Sequence, residues 1–160
     1  MNKMSHALAQ LAATLWVGGI GAIGYLAVPV LFQTLADKQL AGMLAGKLFS
    51  VTAYLGIICG VYLLAYYLVQ LGSQASRQKV FWVVGIMLLL TLIGQFGIQP
   101  ILADLKAQAL PMEVMKSALA GSFRTWHGVA SVIYLVQSIL GVALVIMIGM
   151  YPVKAVNVSQ

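Results

Sequence analysis

The two histidines, His6 and His127, are the side chains best suited to hold a metal or exchange a proton near neutral pH. His6 precedes the first long apolar run, and His127 stands at the start of the fourth. Successive membrane spans alternate in direction, so the two imidazoles are expected on opposite faces of a bilayer, about 30 Å apart. They cannot then ligate one haem or one metal within a monomer, and we predict no cofactor or metal site.

A polar cluster surrounds His127 in the stretch FRTWHG at 123–128. Asp104, which follows the third run on the same side, is placed to pair with Arg124. One interpretation is a ligand-binding site formed by these groups and Trp126. The alternative is structural, because aromatic and basic residues collect at span ends and a partly exposed ion pair contributes only about 0–1 kcal/mol.

Polar side chains also interrupt the apolar runs. Gln95 and Gln99 share one face of the third run at i and i+4, and Tyr134 lies in the fourth. They either line the path of a transported solute or form interhelical hydrogen bonds of roughly 0.6 kcal/mol each. We predict no Asp, Glu, Lys or Arg in the middle of a span. That disfavours a pump or transporter and leaves no acid and base pair for an intramembrane hydrolase.

Methionine thioethers offer a metal alternative because they suit Cu(I). Met1 and Met4 stand near His6, and Met112 and Met115 lie in the third connection. The two sets are expected on opposite faces, and methionine is also ordinary apolar filler. Phosphate-binding loops and the CxxC, HExxH and GxSxG motifs are absent from the sequence. We therefore expect a protein without enzymatic activity.

The elements that position these residues are indicated by the composition. Of 160 residues, 62% are hydrophobic and 8% are charged, with a mean hydropathy of +0.99, whereas soluble domains have about 25% charged residues. The first run is longer than a signal-peptide core, so we expect it to be retained. We predict an all-α integral membrane four-helix bundle in one domain, 1–160, with short interfacial helices after spans one and three; the segment after span one is alternatively an extension of span two. The spans are predicted at about 7–32, 48–71, 80–103 and 125–151.

Small residues indicate how the spans pack. Gly18 and Gly19 lie in the first run, and Gly56 and Gly60 form a GxxxG pattern in the second. Glycines at such spacing allow close approach of membrane helices. They fit either the bundle of one subunit or a dimer.

Two prolines point to an internal repeat. Pro29 begins PVLF near the end of the first run, and Pro100 begins PILA near the end of the third. Each is followed by an amphipathic connection that closes on an Ala-Gly signature. The recurrence predicts two hairpins related by an axis along the membrane normal, unless it arose by chance in an apolar chain.

The net charge of +6 comes from basic residues spread singly along the loops. This pattern is typical of topology signals and contact with anionic lipid rather than nucleic acid. Lys and Arg are nearly even on the two faces of the membrane. We expect cytoplasmic termini because Arg77 and Lys79 lie in the shortest connection, on the side of the termini.

Short motifs recur through the placed spans: LWVGG at 15–19, VPVLF at 28–32, AG at 41–42, AGKLF at 45–49, IQPIL at 98–102, Phe123, WHG at 126–128, Ser131, Gln137 and Gly141. In these motifs the chain resembles the transmembrane-protein-205-like family of four-span membrane proteins. The resemblance implies a bacterial inner-membrane protein without an established activity. Trp16 to Gly19 are also similar to the membrane domain of copper-resistance protein D type, in which a histidine often precedes the tryptophan; Ala9 and Gln10 occupy that region here.

These observations predict a membrane protein that binds a small ligand, a lipid or a partner subunit at the bundle mouth. We define the bundle mouth as the end that holds Pro29, Pro100, Asp104 and the 123–128 stretch. The partners expected are membrane lipid and a second copy or another membrane subunit. The alternative function is a transporter or a copper-handling component, and a haem-type membrane redox protein is the weaker alternative.

Overall fold

A computed structural model describes residues 3–150 of the chain. Two π-helical segments, Ile23–Ala27 and Ile93–Ile98, continue α1 into α2 and α4 into α5, and two 3-10 turns occupy Gly72–Arg77 and Val114–Lys116. The α-helices are α1 Lys3–Ala22, α2 Val28–Thr34, α3 Lys38–Leu71, α4 Lys79–Leu92, α5 Gln99–Gln108 and α6 Ala120–Met150.

Together these segments form four helices that are long and apolar enough to cross a membrane. This confirms the predicted all-α architecture of four spans and makes the chain a multi-pass membrane protein. The first and third spans each pack against the second and the fourth, so the bundle is a ring in chain order. The spans are Met4–Thr34, Lys38–Arg77, Lys79–Gln108 and Ala120–Met150.

The two π-helical segments are explained by the prolines that follow them. Proline lacks an N–H, and its ring clashes with the carbonyl four residues earlier in a regular helix. Before Pro29, the N–H of Val28 donates to the carbonyl of Ile23, five residues back. Before Pro100, the N–H of Gln99 donates to Gly94 in the same way. The wider turn lets each span continue past its proline; the predicted repeat of whole hairpins stays a prediction.

The connections differ from the predicted interfacial helices. Asp37 caps α3, because its Oδ1 accepts the N–H groups of Gln39 at 2.9 Å and Leu40 at 3.1 Å. From that cap the helix runs unbroken to Leu71, so residues 38–47 are the first turns of span two, which was the alternative interpretation. After span three, α5 ends at Gln108, and Pro111 separates it from the short turn at Val114–Lys116. No separate interfacial helix forms there within residues 3–150.

The tightly packed core lies in the half of the bundle nearer the described ends of the chain. Trp16 is 1% exposed. Its indole covers Gly56 and Gly60, where an added Cβ would come within 2.8 Å of Cδ1 and 2.9 Å of Cη2 respectively. The GxxxG pattern therefore serves packing inside the subunit. Leu63, Met87 and Leu144 complete this core, with exposures of 0%.

The glycines of the first span have different surroundings. An added Cβ at Gly19 would lie 3.5 Å from Thr52, whereas one at Gly18 would meet nothing within 4 Å. Gly18 is exposed on the outer surface of the subunit. It therefore makes no packing contact within the described subunit.

Candidate functional site

A cavity of about 820 Å³ lies between the start of α3 and the third span, at the end of the bundle opposite the described chain ends. Residues 38–51 form one wall and residues 95–107 form the other. The connection at 110–115 covers the cavity, and Phe32 and Phe123 lie at its sides. The lining is mainly apolar and includes Phe32, Met43, Val51, Pro100, Leu110, Met112, Val114, Met115 and Phe123.

Three lysines lie in this apolar wall: Lys38, Lys47 and Lys106. The Nζ of Lys38 donates to the carbonyls of Phe32 at 2.6 Å and Leu35 at 2.9 Å. Both bonds hold this side chain across the gap between α2 and α3. None of the three ammonium groups has a carboxylate within ion-pair distance among residues 3–150.

Lys106 is half-buried and crosses from α5 to α3. Its Nζ donates to the carbonyl of Gly42 at 3.1 Å and lies 5.7 Å from the centroid of the Phe123 ring. An added Cβ at Gly46 would lie 3.8 Å from the same Nζ. Gln99 makes the matching contact one turn away, since its Nε2 donates to the carbonyl of Gly46 at 3.2 Å. Lys106 and Gln99 thus link the third span to the backbone of the second span at Gly42 and Gly46.

The deep end of the cavity carries a polar side chain, and packed side chains close the bundle beyond it. The Oε1 of Gln95, a cavity-lining residue, is buried and has no hydrogen-bond partner. One turn further into the bundle, Thr91 accepts a hydrogen bond from Gln137 at 2.6 Å and donates to the carbonyl of Met87 at 2.8 Å. Thr91 and Gln137 are 8% and 6% exposed. The cavity therefore ends against a satisfied polar pair and the core around Trp16.

The polar residues predicted within the spans lie at two different sites in the structure. Gln95 and Gln99 line the cavity. Tyr134 lies elsewhere, where its hydroxyl donates to the carbonyl of Ile20 at 2.6 Å and its ring meets Phe49 edge-on at 5.2 Å. Tyr134 fills the space beside Gly24, where a Cβ would overlap the phenol. This side chain secures the π-helical segment of span one.

The structure places Asp104, Arg124, Trp126 and His127 outside the cavity wall, and all are exposed. His127 stacks on Phe123 with ring centroids 5.7 Å apart and an interplanar angle of 10°. Asp104 accepts from Gln108 Nε2 at 2.6 Å rather than from Arg124. The cavity includes Pro100, and neither Pro29 nor the four exposed residues contribute to its wall.

The lysines of the cavity are functional candidates that sequence reasoning missed. A helical stripe containing Lys38, Gly42, Gly46 and the neighbouring Lys47 was visible at the start of α3. Its Gly-xxx-Gly spacing predicts close approach of another helix. Only the fold shows that Lys106 comes from that neighbour.

The other end of the bundle carries His6, whose Nδ1 lies 3.3 Å from the hydroxyl of Tyr66. Tyr66 stacks edge-on against Tyr67 at 5.3 Å. Within residues 3–150, no group of three or more His, Cys, Asp or Glu side chains is close enough to hold a metal ion. His6 and His127 thus lie at opposite ends of the bundle, as the span directions predict.

Comparison with known protein families identifies the family of the chain. A family model described as "Domain of unknown function (DUF4149)" matches residues 11–111. The matched segment runs from span one to the connection after span three, so it includes both main walls of the cavity. No curated protein and no solved structure matches the chain.

Proposed function

Because the chain belongs to the DUF4149 family, a domain of unknown function, we propose its role from its geometry: it is a membrane protein that binds an amphiphilic, lipid-like ligand in the cavity between spans two and three. The observation that carries the proposal is the cavity itself. Its volume of about 820 Å³ is typical of small-ligand sites, which are also mostly apolar with a few placed polar groups.

The shape of the cavity suits a long molecule with one polar end. Its wall on α3 extends from Lys38 to Val51, a rise of roughly 20 Å along a helix. Basic groups lie along the first part of that length, and apolar side chains surround them. Met43, Leu110 and Met112 are each about half exposed along the wall. A ligand with an apolar chain would cover these side chains.

We propose a binding function in preference to a transport function because the cavity is closed at one end. A solute path needs an opening on each side of the membrane, and beyond Gln95 the bundle is filled by Trp16, Leu63 and Met87. Of the residues predicted to line a path, Tyr134 contacts span one instead of the cavity. Copper handling and haem-type redox chemistry have no observation in their favour among residues 3–150, and we do not extend the proposal to them.

Two substitutions on α3 test the proposal. Val51 lines the cavity, whereas Val61 lies on the same helix outside it, and both are more than half exposed. Val51→Trp should fill the cavity and weaken binding of a long-chain amphiphile about tenfold, the effect of roughly 1–3 kcal/mol of steric conflict. Val61→Trp adds the same side chain toward lipid and should leave binding unchanged.

The measurement is equilibrium binding of labelled long-chain amphiphiles to the purified full chain in non-ionic detergent. Native mass spectrometry of the same samples reports lipid that remains bound after purification. Equal binding by wild type, Val51→Trp and Val61→Trp would overturn the proposal. A folded Val51→Trp protein, checked by helicity and elution volume, keeps the comparison valid.

We further propose a location in the bacterial inner membrane with cytoplasmic termini, supported by the transmembrane-protein-205-like resemblance and by Arg77 and Lys79 in the short connection. In that orientation the cavity lies at the periplasmic end. A reporter that is active only in the cytoplasm should then be active when fused after Arg77 and inactive when fused after Leu110. A reporter that is active only in the periplasm should give the opposite result. Lipid is the proposed partner, and assembly of copies remains a separate proposal supported only by the exposed small residues around Gly18.

A further inference from the structure

We infer that the ligand carries an anionic headgroup, a phosphate or a carboxylate, held by Lys106 together with Lys38 and Lys47. The inference rests on the proposed binding function and names the chemistry of the polar end of the ligand. It starts from the charges around the cavity, which do not balance within the described chain.

The three acidic side chains of the protein are Asp37, Asp104 and Glu113, and Glu113 lines the cavity. Asp37 caps α3 through the N–H groups of residues 39 and 40. Asp104 accepts from Gln108, and Glu113 pairs with Lys116 at 3.2 Å. Within residues 3–150, no acidic side chain forms an ion pair with Lys38, Lys47 or Lys106, because the cavity carboxylate of Glu113 pairs with Lys116 instead.

Lys106 has the strongest need for an anion. Its ammonium group is half-buried beside the Phe123 ring and uses one donor on the carbonyl of Gly42. An ammonium has three donors, and a charge removed from water without a counterion is costly. An anionic group in the cavity would accept from the remaining donors and supply the missing charge.

The three lysines lie along the outer part of the cavity, away from the Gln95 amide. Lys38 is one helical turn before Gly42, whose carbonyl accepts a hydrogen bond from Lys106. Lys47 follows Gly46, which lies beside the same ammonium group. On α3, Lys38 and Lys47 are separated by roughly 14 Å of helix rise, and Val51 and the Gln95 amide lie deeper. The headgroup therefore belongs at the level of residues 38–47, with the apolar chain extending past it along the cavity.

The test compares probes that share one alkyl chain: hexadecyl phosphate, hexadecanol, and inorganic phosphate without a chain. Binding to the full chain in non-ionic detergent at low salt should be at least about tenfold tighter for hexadecyl phosphate than for hexadecanol, the effect of a charged hydrogen bond. Inorganic phosphate alone should bind much more weakly than hexadecyl phosphate and displace it only at high concentration. Such a result assigns the anion to a lipid-like ligand.

Variants of Lys106 identify the residue responsible. Lys106→Gln keeps a donor for Gly42 and should reduce affinity for hexadecyl phosphate about tenfold, with hexadecanol unaffected. Lys106→Arg keeps the charge and should restore the preference. Lys79→Gln removes an exposed lysine at the other end of the bundle and should change neither affinity. These variants retain the apolar cavity, so the hexadecanol affinity reports whether each is folded.

The outcomes separate this inference from the proposed function. Equal affinity for hexadecyl phosphate and hexadecanol would overturn the anionic headgroup while amphiphile binding stands. Failure of both to bind would overturn the proposed function itself. Binding of inorganic phosphate as tight as that of hexadecyl phosphate, lost in Lys106→Gln, would support the anion site and overturn the lipid-like source.

Discussion

Substitution of Gly56 by alanine measures how tightly the closed half of the bundle is packed. A Cβ at this position would lie 2.8 Å from Cδ1 and 3.1 Å from Cε2 of Trp16, and the indole is 1% exposed, so it has no free space to enter. Overpacking of a filled core costs about 1–3 kcal/mol. The better helix propensity of alanine returns at most about 1 kcal/mol, so we expect Gly56→Ala to lower the free energy of unfolding by about 1–2 kcal/mol.

Gly18→Ala is the matched control, because it adds the same methyl group to a membrane helix where no atom lies within 4 Å. The gain in helix propensity is common to both variants, so the difference between them isolates the steric conflict with Trp16. We expect Gly18→Ala to be neutral or stabilising by less than about 1 kcal/mol. The assay is reversible unfolding in mixed micelles with increasing sodium dodecyl sulfate, followed by helical circular dichroism.

A double-mutant cycle identifies the partner. Trp16→Phe reduces the ring that overlaps the new methyl group, so it should be less harmful in the Gly56→Ala protein than in the wild type, with a coupling of about 1 kcal/mol. Equal stability of Gly56→Ala and Gly18→Ala, or an additive cycle, would refute the packing of the indole on the GxxxG surface.

Three smaller predictions concern hydrogen bonds made by side chains. Asp37→Ala removes the cap of α3 and should destabilise its first turn by about 1 kcal/mol, seen as faster hydrogen exchange at residues 38–41 with little change at the end of the helix. Tyr134→Phe removes the bond to Ile20 and should cost about 0.6 kcal/mol in the unfolding assay; a loss above about 2 kcal/mol would show that the hydroxyl does more than this. Gln137→Leu should be similarly mild, because Thr91 keeps its own bond to the backbone, and Thr91→Val in the Gln137→Leu protein should then have almost no further effect.

The four spans were predictable because lipid leaves an apolar chain few alternatives. A backbone in the hydrocarbon region must satisfy its own polar groups, so each long apolar run becomes a helix. The structural boundaries extend past the predicted ones where amphipathic segments continue the helix, as residues 38–47 do before the predicted start at 48. The cap at Asp37 is the local signal that marks this earlier start.

The cavity was only partly predictable. The i, i+4 spacing of Gln95 and Gln99 places them on one helix face, and both line the cavity. The sequence pattern alone does not distinguish Lys106 from the other basic residues, because its contact with Gly42 depends on how two spans approach each other. His127 has the seven-residue spacing from Tyr134 that continues the inner face of α6, yet its side chain is exposed and stacks on Phe123 of the same helix. Periodicity indicates a face of a helix, whereas burial depends on a neighbour.

The packed core around Trp16 determines from which side of the bilayer a lipid can enter the cavity. A cavity that ends near the midpoint of the bundle exchanges its contents with one leaflet only. A ligand in the other leaflet must first cross the bilayer by another route. Occupancy would then report the composition of a single leaflet, and the same lipid added to the two sides of an oriented membrane would have unequal access to the protein.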